Sequence, residues 1–76
     1  MSVSQDVLAI VSQIAQKQIS ANEELLTTGL IDSISAMDLV MAVKEKFNVD
    51  LPFEKLVDIL ANSSNLIQYI EQHYKG

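Results

Sequence analysis

Apolar residues recur at helical spacing along four segments of the chain, and this pattern predicts four helices. In the first segment, residues 3–18, the apolar positions follow steps of four, three, one and three, which place them on one face of an amphipathic helix. These positions are Val3, Val7, Ile10, Val11 and Ile14. Since no segment shows the alternation of apolar and polar residues that is typical of a strand, an all-α chain is expected.

The boundaries of the other three helices are predicted from the residues that flank them. The second helix spans Ser33–Phe47 and stops at Asn48, a residue type that tolerates the left-handed conformation common just past helix ends. Because the residue before a proline is disfavoured in the helical region, Pro52 predicts an extended step, followed by a short third helix over Phe53–Leu60. The last helix opens in an Asn-Ser-Ser-Asn cluster and runs through Tyr74.

A long connection, Ile19–Asp32, separates the first helix from the second and shows no sustained period. It nevertheless carries four large aliphatic residues that are expected to pin it to the core, namely Leu25, Leu26, Leu30 and Ile31. Long loops in compact domains usually have a function. The predicted fold is therefore a small four-helix bundle, with three longer helices, one short helix and a long loop between helices 1 and 2.

Length and composition then limit the functions that the chain can have. Its 76 residues allow one domain, 1–76, and such a small chain has little room for a deep enclosed active site. Ten acids against five lysines, with no arginine, give a net charge of -5, which argues against binding to nucleic acid. The absence of cysteine excludes disulfides, thiolate nucleophiles and Cys-ligated metals, and no His and carboxylate cluster has metal-ligand spacing.

The longest apolar stretches, Val7–Val11 and Leu39–Val43, are far too short to span a membrane. The first residues also lack the basic region and apolar core of a signal peptide. A cytoplasmic location is therefore the expectation, and the protein is also expected to be a monomer.

The second predicted helix carries two rows of apolar residues instead of one. The core row consists of Ala36, Leu39, Val40, Val43 and Phe47. The other row, here called the apolar row, consists of Ile34, Met37 and Met41 and lies roughly 130° further round the helix. Asp38 and Glu45 lie on the same side as Met41, so this side is expected to face water. An exposed row that contains Met and is flanked by acids indicates an adaptable surface for partner proteins.

The start of the same helix combines two features that are relevant to chemistry. Asp32 is expected to cap the helix, and Ser33 then takes the first helical position with its hydroxyl pointing outward. On spacing alone, Ser33 is simply part of the cap, although a helix N-terminus is also a favourable place for an attached phosphate. A role as a catalytic nucleophile is not supported, because the only histidine, His73, lies near the end of the last helix, where a surface position is expected.

From Gly29 to Phe47 the chain resembles the acyl carrier protein family. The most specific likeness is the Asp32-Ser33-Ile34 step after a loop that contains glycine. Weaker likeness continues through the segment after the second helix, Val49–Pro52, and through the last helix, so that nearly the whole chain is covered. The resemblance implies a four-helix bundle whose Ser33 bears a covalent 4'-phosphopantetheine arm derived from coenzyme A, with Asp32 as its motif neighbour.

The same resemblance implies a carrier that is not itself an enzyme. Its partners would be a phosphopantetheinyl transferase, an enzyme that loads an acyl or aminoacyl group as a thioester, and downstream transferases or synthases. Fatty acid, polyketide and nonribosomal peptide synthesis are the pathways open to such a carrier. The residues expected to contact the partners are Ile34, Met37, Asp38, Met41 and Glu45.

Several positions depart from the pattern of housekeeping fatty-acid carriers. Ile34 replaces the usual Leu, and Ser35 stands where those carriers commonly have an acid. Lys44 and Lys46 interrupt a helix that is often acidic. These departures favour a freestanding carrier in a specialised pathway. The competing interpretation is a helical interaction module that binds one partner through the apolar row, with Ser33 serving only in the cap.

Overall fold

The computed structural model describes residues 2–74, and their regular structure is helical. The predicted domain 1–76 also includes Met1, Lys75 and Gly76, which lie outside the described residues. The helices are α1 (Val3–Ala15), α2 (Ser33–Phe47), α3 (Leu56–Leu60) and α4 (Ser63–His73), and a 3-10 turn, Phe53–Lys55, precedes α3. The expected all-α bundle of three longer helices and one short helix is confirmed.

The core lies where α1 packs against α2 and α4, and where α3 packs against α4. Its completely buried side chains come from all four helices and from the long loop. They include Val7, Val11, Leu25, Ile31, Leu39, Val43, Leu60, Leu66 and Ile70. Because Leu25 and Ile31 belong to the connection between α1 and α2, this loop packs against the helices as part of the core, as its aliphatic residues predict.

Helix α1 ends three residues earlier than the predicted boundary at residue 18. Gln16 adopts a left-handed conformation with φ 58°, and its N–H donates to the Ser12 carbonyl. The Ser12 hydroxyl in turn accepts from the N–H of Ile19 at 3.0 Å, which bends the chain back towards the core. Ile19 is buried as a result. The prediction is wrong here because the side chain of Gln16 gives no signal of a left-handed turn.

The end of α2 agrees with the prediction. Asn48 is left-handed with φ 58°, and its N–H donates to the Lys44 carbonyl at 2.9 Å. Lys44 and Lys46 lie in the last turn, where positive charge interacts favourably with the helix dipole. The ammonium of Lys44 also pairs with the Asp50 carboxylate at 3.2 Å. The segment after α2 is thereby tied to the last turn of the helix.

The third predicted helix, Phe53–Leu60, divides into the 3-10 turn and α3. Pro52 has φ -64° and ψ 129°, which is the extended step expected around a proline. Lys55, with φ -109° and ψ 4°, is the last residue of the turn and departs from helical geometry just before α3. The sequence thus locates the segment correctly and misses its division.

Helix α4 starts where Asn62 caps it by accepting from the N–H of Ser64 at 2.9 Å. It ends at His73, one residue before the predicted end, because Tyr74 is extended. The Tyr74 ring meets Phe47 edge to face, with the ring centroids 5.3 Å apart. Within residues 2–74, none of the helices has the length and apolar character needed to cross a membrane.

Candidate functional site

The start of α2 is fixed by Asp32. Its Oδ1 accepts the N–H of Ser35 at 2.8 Å, and its carbonyl accepts the N–H of Ala36, also at 2.8 Å. The hydrogen bond from the Ser35 backbone lowers the pKa of the Asp32 carboxyl below its ordinary value of 3.8. The cap is therefore an ionised carboxylate at neutral pH, and the hydroxyl of Ser33 is not needed for capping.

The loop turns sharply just before Asp32. Gly29 has φ +77°, a conformation that residues with a Cβ rarely adopt, and its N–H donates to the Leu26 carbonyl at 3.2 Å. Two residues further on, the N–H of Ile31 donates to the Leu25 carbonyl at 3.1 Å. Since Leu25 and Ile31 are both buried, the core holds the chain immediately before Asp32 and Ser33.

Ser33 is exposed and lies at the edge of an apolar groove. The groove has a volume of about 250 Å³. It is lined by residues of the loop, of α2, and of the 3-10 turn and α3: Leu26, Ser33, Ala36, Met37, Phe53, Leu56, Val57 and Leu60. Seven of these eight side chains are apolar, so a group attached to Ser33 would lie next to an apolar surface as well as next to water.

The two rows predicted on α2 are separated by burial. Ala36, Leu39, Val43 and Phe47 are buried, and Val40 is half-buried. The apolar row stays at the surface, with Ile34 76%, Met37 47% and Met41 63% exposed. Asp38 and Glu45, the acids predicted beside this row, are exposed as well. The predicted partner residues therefore lie on the solvent-facing side of the helix that begins at Ser33.

Two further exposed apolar residues, Phe53 and Val57, were not found from the sequence. They are 77% and 71% exposed, and both line the groove together with residues of α2. The segment that carries them is too short to show a helical period, and its division into a 3-10 turn and α3 obscures the pattern further. The only signal in the sequence is that Phe53–Leu60 contains more apolar residues than so short a segment can bury.

His73 is exposed and belongs to a separate arrangement on α4. Its Nδ1 lies 2.8 Å from the Tyr69 carbonyl oxygen, and its ring stacks on Tyr69 with the centroids 4.1 Å apart. It is absent from the lining of the groove beside Ser33. In the described part of the chain, no group of three His, Cys, Asp or Glu residues is arranged to hold a metal ion.

Comparison with known proteins agrees with this geometry. The family model described as a phosphopantetheine attachment site matches residues 5–70. An acyl carrier protein of Helicobacter pylori is 28% identical over 76 residues, which cover 96% of each chain. An acyl carrier protein homolog of Ureaplasma parvum is 41% identical over 64 residues, which cover 84% of this chain and 80% of that protein.

A mitochondrial acyl carrier protein of Saccharomyces cerevisiae is 29% identical over 75 residues, which cover 90% of this chain and 59% of the yeast protein. The matches extend from α1 to α4 and include the whole of α2 and its start. The chain therefore belongs to the acyl carrier protein family, whose members are carriers and not catalysts and bear a covalently attached 4'-phosphopantetheine.

Proposed function

We propose that this single carrier domain bears its phosphopantetheine arm on the hydroxyl of Ser33. The observation that carries this proposal is the exposed position of Ser33 at the start of α2, on the edge of an apolar groove. Asp32 takes over the capping of the helix, so the serine oxygen is free to form another bond. The Asp32-Ser33-Ile34 step is also the part of the sequence that most closely resembles the family motif.

The residues around Ser33 fit the two chemically different parts of such an arm. The phosphate would lie at the N-terminus of a 15-residue helix, where free N–H groups and the helix dipole favour negative charge. The apolar side chains of the groove offer a surface for the uncharged remainder of the arm or for the group that it carries. When attached, the arm supplies the thiol that holds an acyl or aminoacyl group as a thioester.

Attachment requires a phosphopantetheinyl transferase as the first partner. In that reaction the Ser33 Oγ forms a bond to the phosphorus of the pantetheine phosphate while the pyrophosphate bond of coenzyme A breaks. The nucleotide leaves, and the serine proton passes to a base of the transferase. The carrier contributes an accessible hydroxyl and a fixed helix start, and the base comes from its partner.

The apolar row is proposed as the main contact for this transferase, for the loading enzyme and for downstream transferases or synthases. Ile34 follows Ser33 directly, and Met37 lies one turn later, so an enzyme that reaches the Ser33 hydroxyl meets these side chains first. The exposed acids Asp38 and Glu45 are balanced by the exposed Lys44 and Lys46. Electrostatic attraction is therefore expected to contribute less than apolar contact.

The balanced charge of α2 is also what supports a specialised pathway over housekeeping fatty-acid synthesis. A partner that recognises an acidic helix would find four exposed charges of α2, Asp38, Lys44, Glu45 and Lys46, that sum to zero. A malonyl transferase of fatty-acid synthesis is expected to load this carrier with a lower kcat/KM than a carrier whose second helix is acidic. Equal kcat/KM values would contradict the specialised role. The monomeric state and the cytoplasmic location stay predictions.

The attachment site is tested by incubating the protein with coenzyme A and a broad-specificity phosphopantetheinyl transferase, followed by intact mass measurement. Wild type is expected to gain the mass of one arm, and Ser33→Ala is expected to gain none. Ser35→Ala is the matched control, because Ser35 lies on the same turn and its backbone N–H, which Asp32 binds, is retained.

Both variants should fold, since substitutions at the surface usually change the free energy of unfolding by less than about 0.5 kcal/mol. Thermal unfolding measured alongside the mass experiment checks this point. A mass gain that persists in Ser33→Ala would place the arm elsewhere. A folded wild type that gains no mass would favour the interaction module.

A further inference from the structure

Ser63 is a buried polar residue that connects the two halves of the chain. Its side chain is completely buried at the first position of α4. Its hydroxyl donates to the Ser20 carbonyl at 2.6 Å and accepts the N–H of Glu23 at 2.9 Å. The N–H of Ser63 donates to the Glu23 carbonyl at 2.8 Å. We call Ser20, Glu23 and Ser63 the clasp.

The Glu23 side chain holds the loop half of the clasp in shape. Its Oε1 accepts the N–H of Ser20 at 2.9 Å, which closes a tight turn, and its Oε2 accepts from the Lys17 ammonium at 3.2 Å. The backbone hydrogen bond from Ser20 and the interaction with Lys17 lower the pKa of the Glu23 carboxyl below its ordinary value of 4.5. At neutral pH the turn therefore presents the Ser20 carbonyl and the Glu23 amide to Ser63.

Each half of the clasp lies three residues along the chain from a residue that lines the groove beside Ser33, since Glu23 precedes Leu26 and Ser63 follows Leu60. On the loop side, the N–H of Leu25 donates to the Ala61 carbonyl at 3.2 Å, and the next residue, Leu26, lines the groove. On the other side, Leu60 immediately precedes Ala61 and also lines the groove. The Leu25–Ala61 hydrogen bond thus ties the loop to the end of α3, and the hydrogen bonds of Ser63 tie it to the start of α4, both close in sequence to residues that line the groove.

We infer that the Ser63 hydroxyl is a positioning residue that holds the Leu26 wall of the groove against α3, and so determines how well an apolar group carried at Ser33 is covered. Without this hydroxyl, the Glu23 N–H and the Ser20 carbonyl lose a buried partner and must turn towards water. Leu26 would then be held near α3 only through its neighbour Leu25, whose N–H donates to the Ala61 carbonyl, and would gain freedom to move. Helix α2, which packs on α1, would stay in place. This inference rests on the proposed attachment of the arm to Ser33.

The test compares the chemical protection of a long and a short acyl group on the intact carrier. A broad-specificity phosphopantetheinyl transferase is used to attach octanoyl- or acetyl-phosphopantetheine from the corresponding coenzyme A thioesters. Cleavage of each thioester by hydroxylamine is followed by intact mass. The protection ratio is the acetyl cleavage rate divided by the octanoyl cleavage rate, after each rate has been divided by that of the corresponding free coenzyme A thioester. Because protection of the octanoyl group also requires a folded carrier, the ratio is measured at a temperature at which thermal unfolding shows each variant to be folded.

In wild type the ratio is expected to exceed one, because the octanoyl chain can enter the groove and the acetyl group is too short to do so. Ser63→Ala is expected to lower the ratio about fivefold, because the loss of one ordinary hydrogen bond changes an opening equilibrium by about that factor. If the wild-type ratio is below about five, the variant's ratio is expected to fall to one. Ser63→Thr, which keeps the hydroxyl, should restore the ratio. Ser64→Ala is the matched control, because the Ser64 hydroxyl donates to the cap residue Asn62 and not to the loop.

A second variant covers the case in which Ser63→Ala does not fold. Glu23→Ala removes the carboxylate that shapes the turn but leaves the Ser63 hydroxyl and its backbone partners in place. It is expected to lower the protection ratio in the same direction and by a smaller factor. A wild-type ratio of one, or clasp variants that unfold more easily but keep the wild-type ratio, would overturn the inference. Failure of the attachment itself is recognised separately, because wild type then gains no mass.

Discussion

Truncation of a side chain in the apolar row should lower the kcat/KM of partner enzymes, and the loss should increase with the exposed fraction of that side chain. Complete burial of a Met side chain contributes about 1.5–3 kcal/mol. Met41 is 63% exposed and Met37 47% exposed, so covering their exposed parts is worth about 1–2 and about 0.7–1.4 kcal/mol, respectively. If the partner covers these side chains in its complex, Met41→Ala should lower kcat/KM about 5- to 30-fold, and Met37→Ala somewhat less.

The assay is the rate at which a phosphopantetheinyl transferase modifies each variant, measured over a range of carrier concentrations and at several salt concentrations. Asp38→Asn is the matched control, because Asp38 is an exposed residue of the same helix and the change removes charge while keeping size. Its effect should be no more than about twofold, which is typical of an exposed charge. Because exposed charges are screened beyond about 8 Å at physiological salt, the wild-type rate should fall only modestly as salt rises.

The opposite pattern would refute this reasoning. A steep loss of rate with salt, a large effect of Asp38→Asn and near-normal rates for both Met variants would show that partners recognise the charges of α2. Thermal unfolding of the Met variants provides the check on folding, since exposed side chains should contribute little to stability. A large drop in their thermal midpoint would mean that the row is buried in solution.

Two further predictions concern the loop and the helix start. The pKa values of Asp32 and Glu23 in the folded protein lie below their ordinary values of 3.8 and 4.5. Both carboxylates therefore stabilise the fold at a pH above these ordinary values, and this contribution is lost as the pH falls through the pKa of the folded state. As the pH is lowered below about 4.5, the thermal midpoint of unfolding should therefore decrease, and it should decrease less in Asp32→Asn. A midpoint that stays constant down to pH 3 would contradict the hydrogen bonds described. Gly29→Ala should lower the free energy of unfolding in urea by about 1–2 kcal/mol, because φ is +77° and the added Cβ meets nothing within 4 Å, so that backbone strain is the only cost. Gly29→Asn should cost less, and equal losses in the two variants would argue against strain as the cause.

The sequence predicts those helix boundaries that a side chain specifies locally. Asp32 and Asn48 mark the ends of α2 because a carboxylate caps a helix and Asn tolerates a left-handed residue, and both occur as expected. The left-handed turn at Gln16 has no such signal, since it depends on the Ser12 hydroxyl that captures Ile19 seven residues away. The division of the predicted third helix into a 3-10 turn and α3 likewise has no signal in the sequence, because the segment after Pro52 is very short and its geometry depends on packing against the core.

The candidate site shows the same division between local and tertiary information. The positions of Asp32, Ser33 and the apolar row follow from the period and the cap of one helix, and the structure shows the capping and the exposure. The role of Ser33 follows only from the family resemblance. Phe53 and Val57 line the groove together with Ala36 and Met37 of α2 only because of the tertiary fold, which a spacing within one segment cannot show. Ser63 looks like an ordinary helix-starting serine until the structure places Glu23, forty residues earlier, against its hydroxyl.

The identity of the capping residue has a consequence for the life cycle of the carrier. If the hydroxyl of Ser33 held the first turn of α2, each attachment or removal of an arm would break and remake that hydrogen bond, and the bare and loaded proteins would differ in the order of their helix start. The carboxylate of Asp32 holds the turn instead, one residue earlier in the chain. With the arm on Ser33 as proposed, the serine oxygen can be derivatised and regenerated without breaking the hydrogen bond that caps α2, so successive enzymes are expected to meet the same helix start at every stage of the cargo.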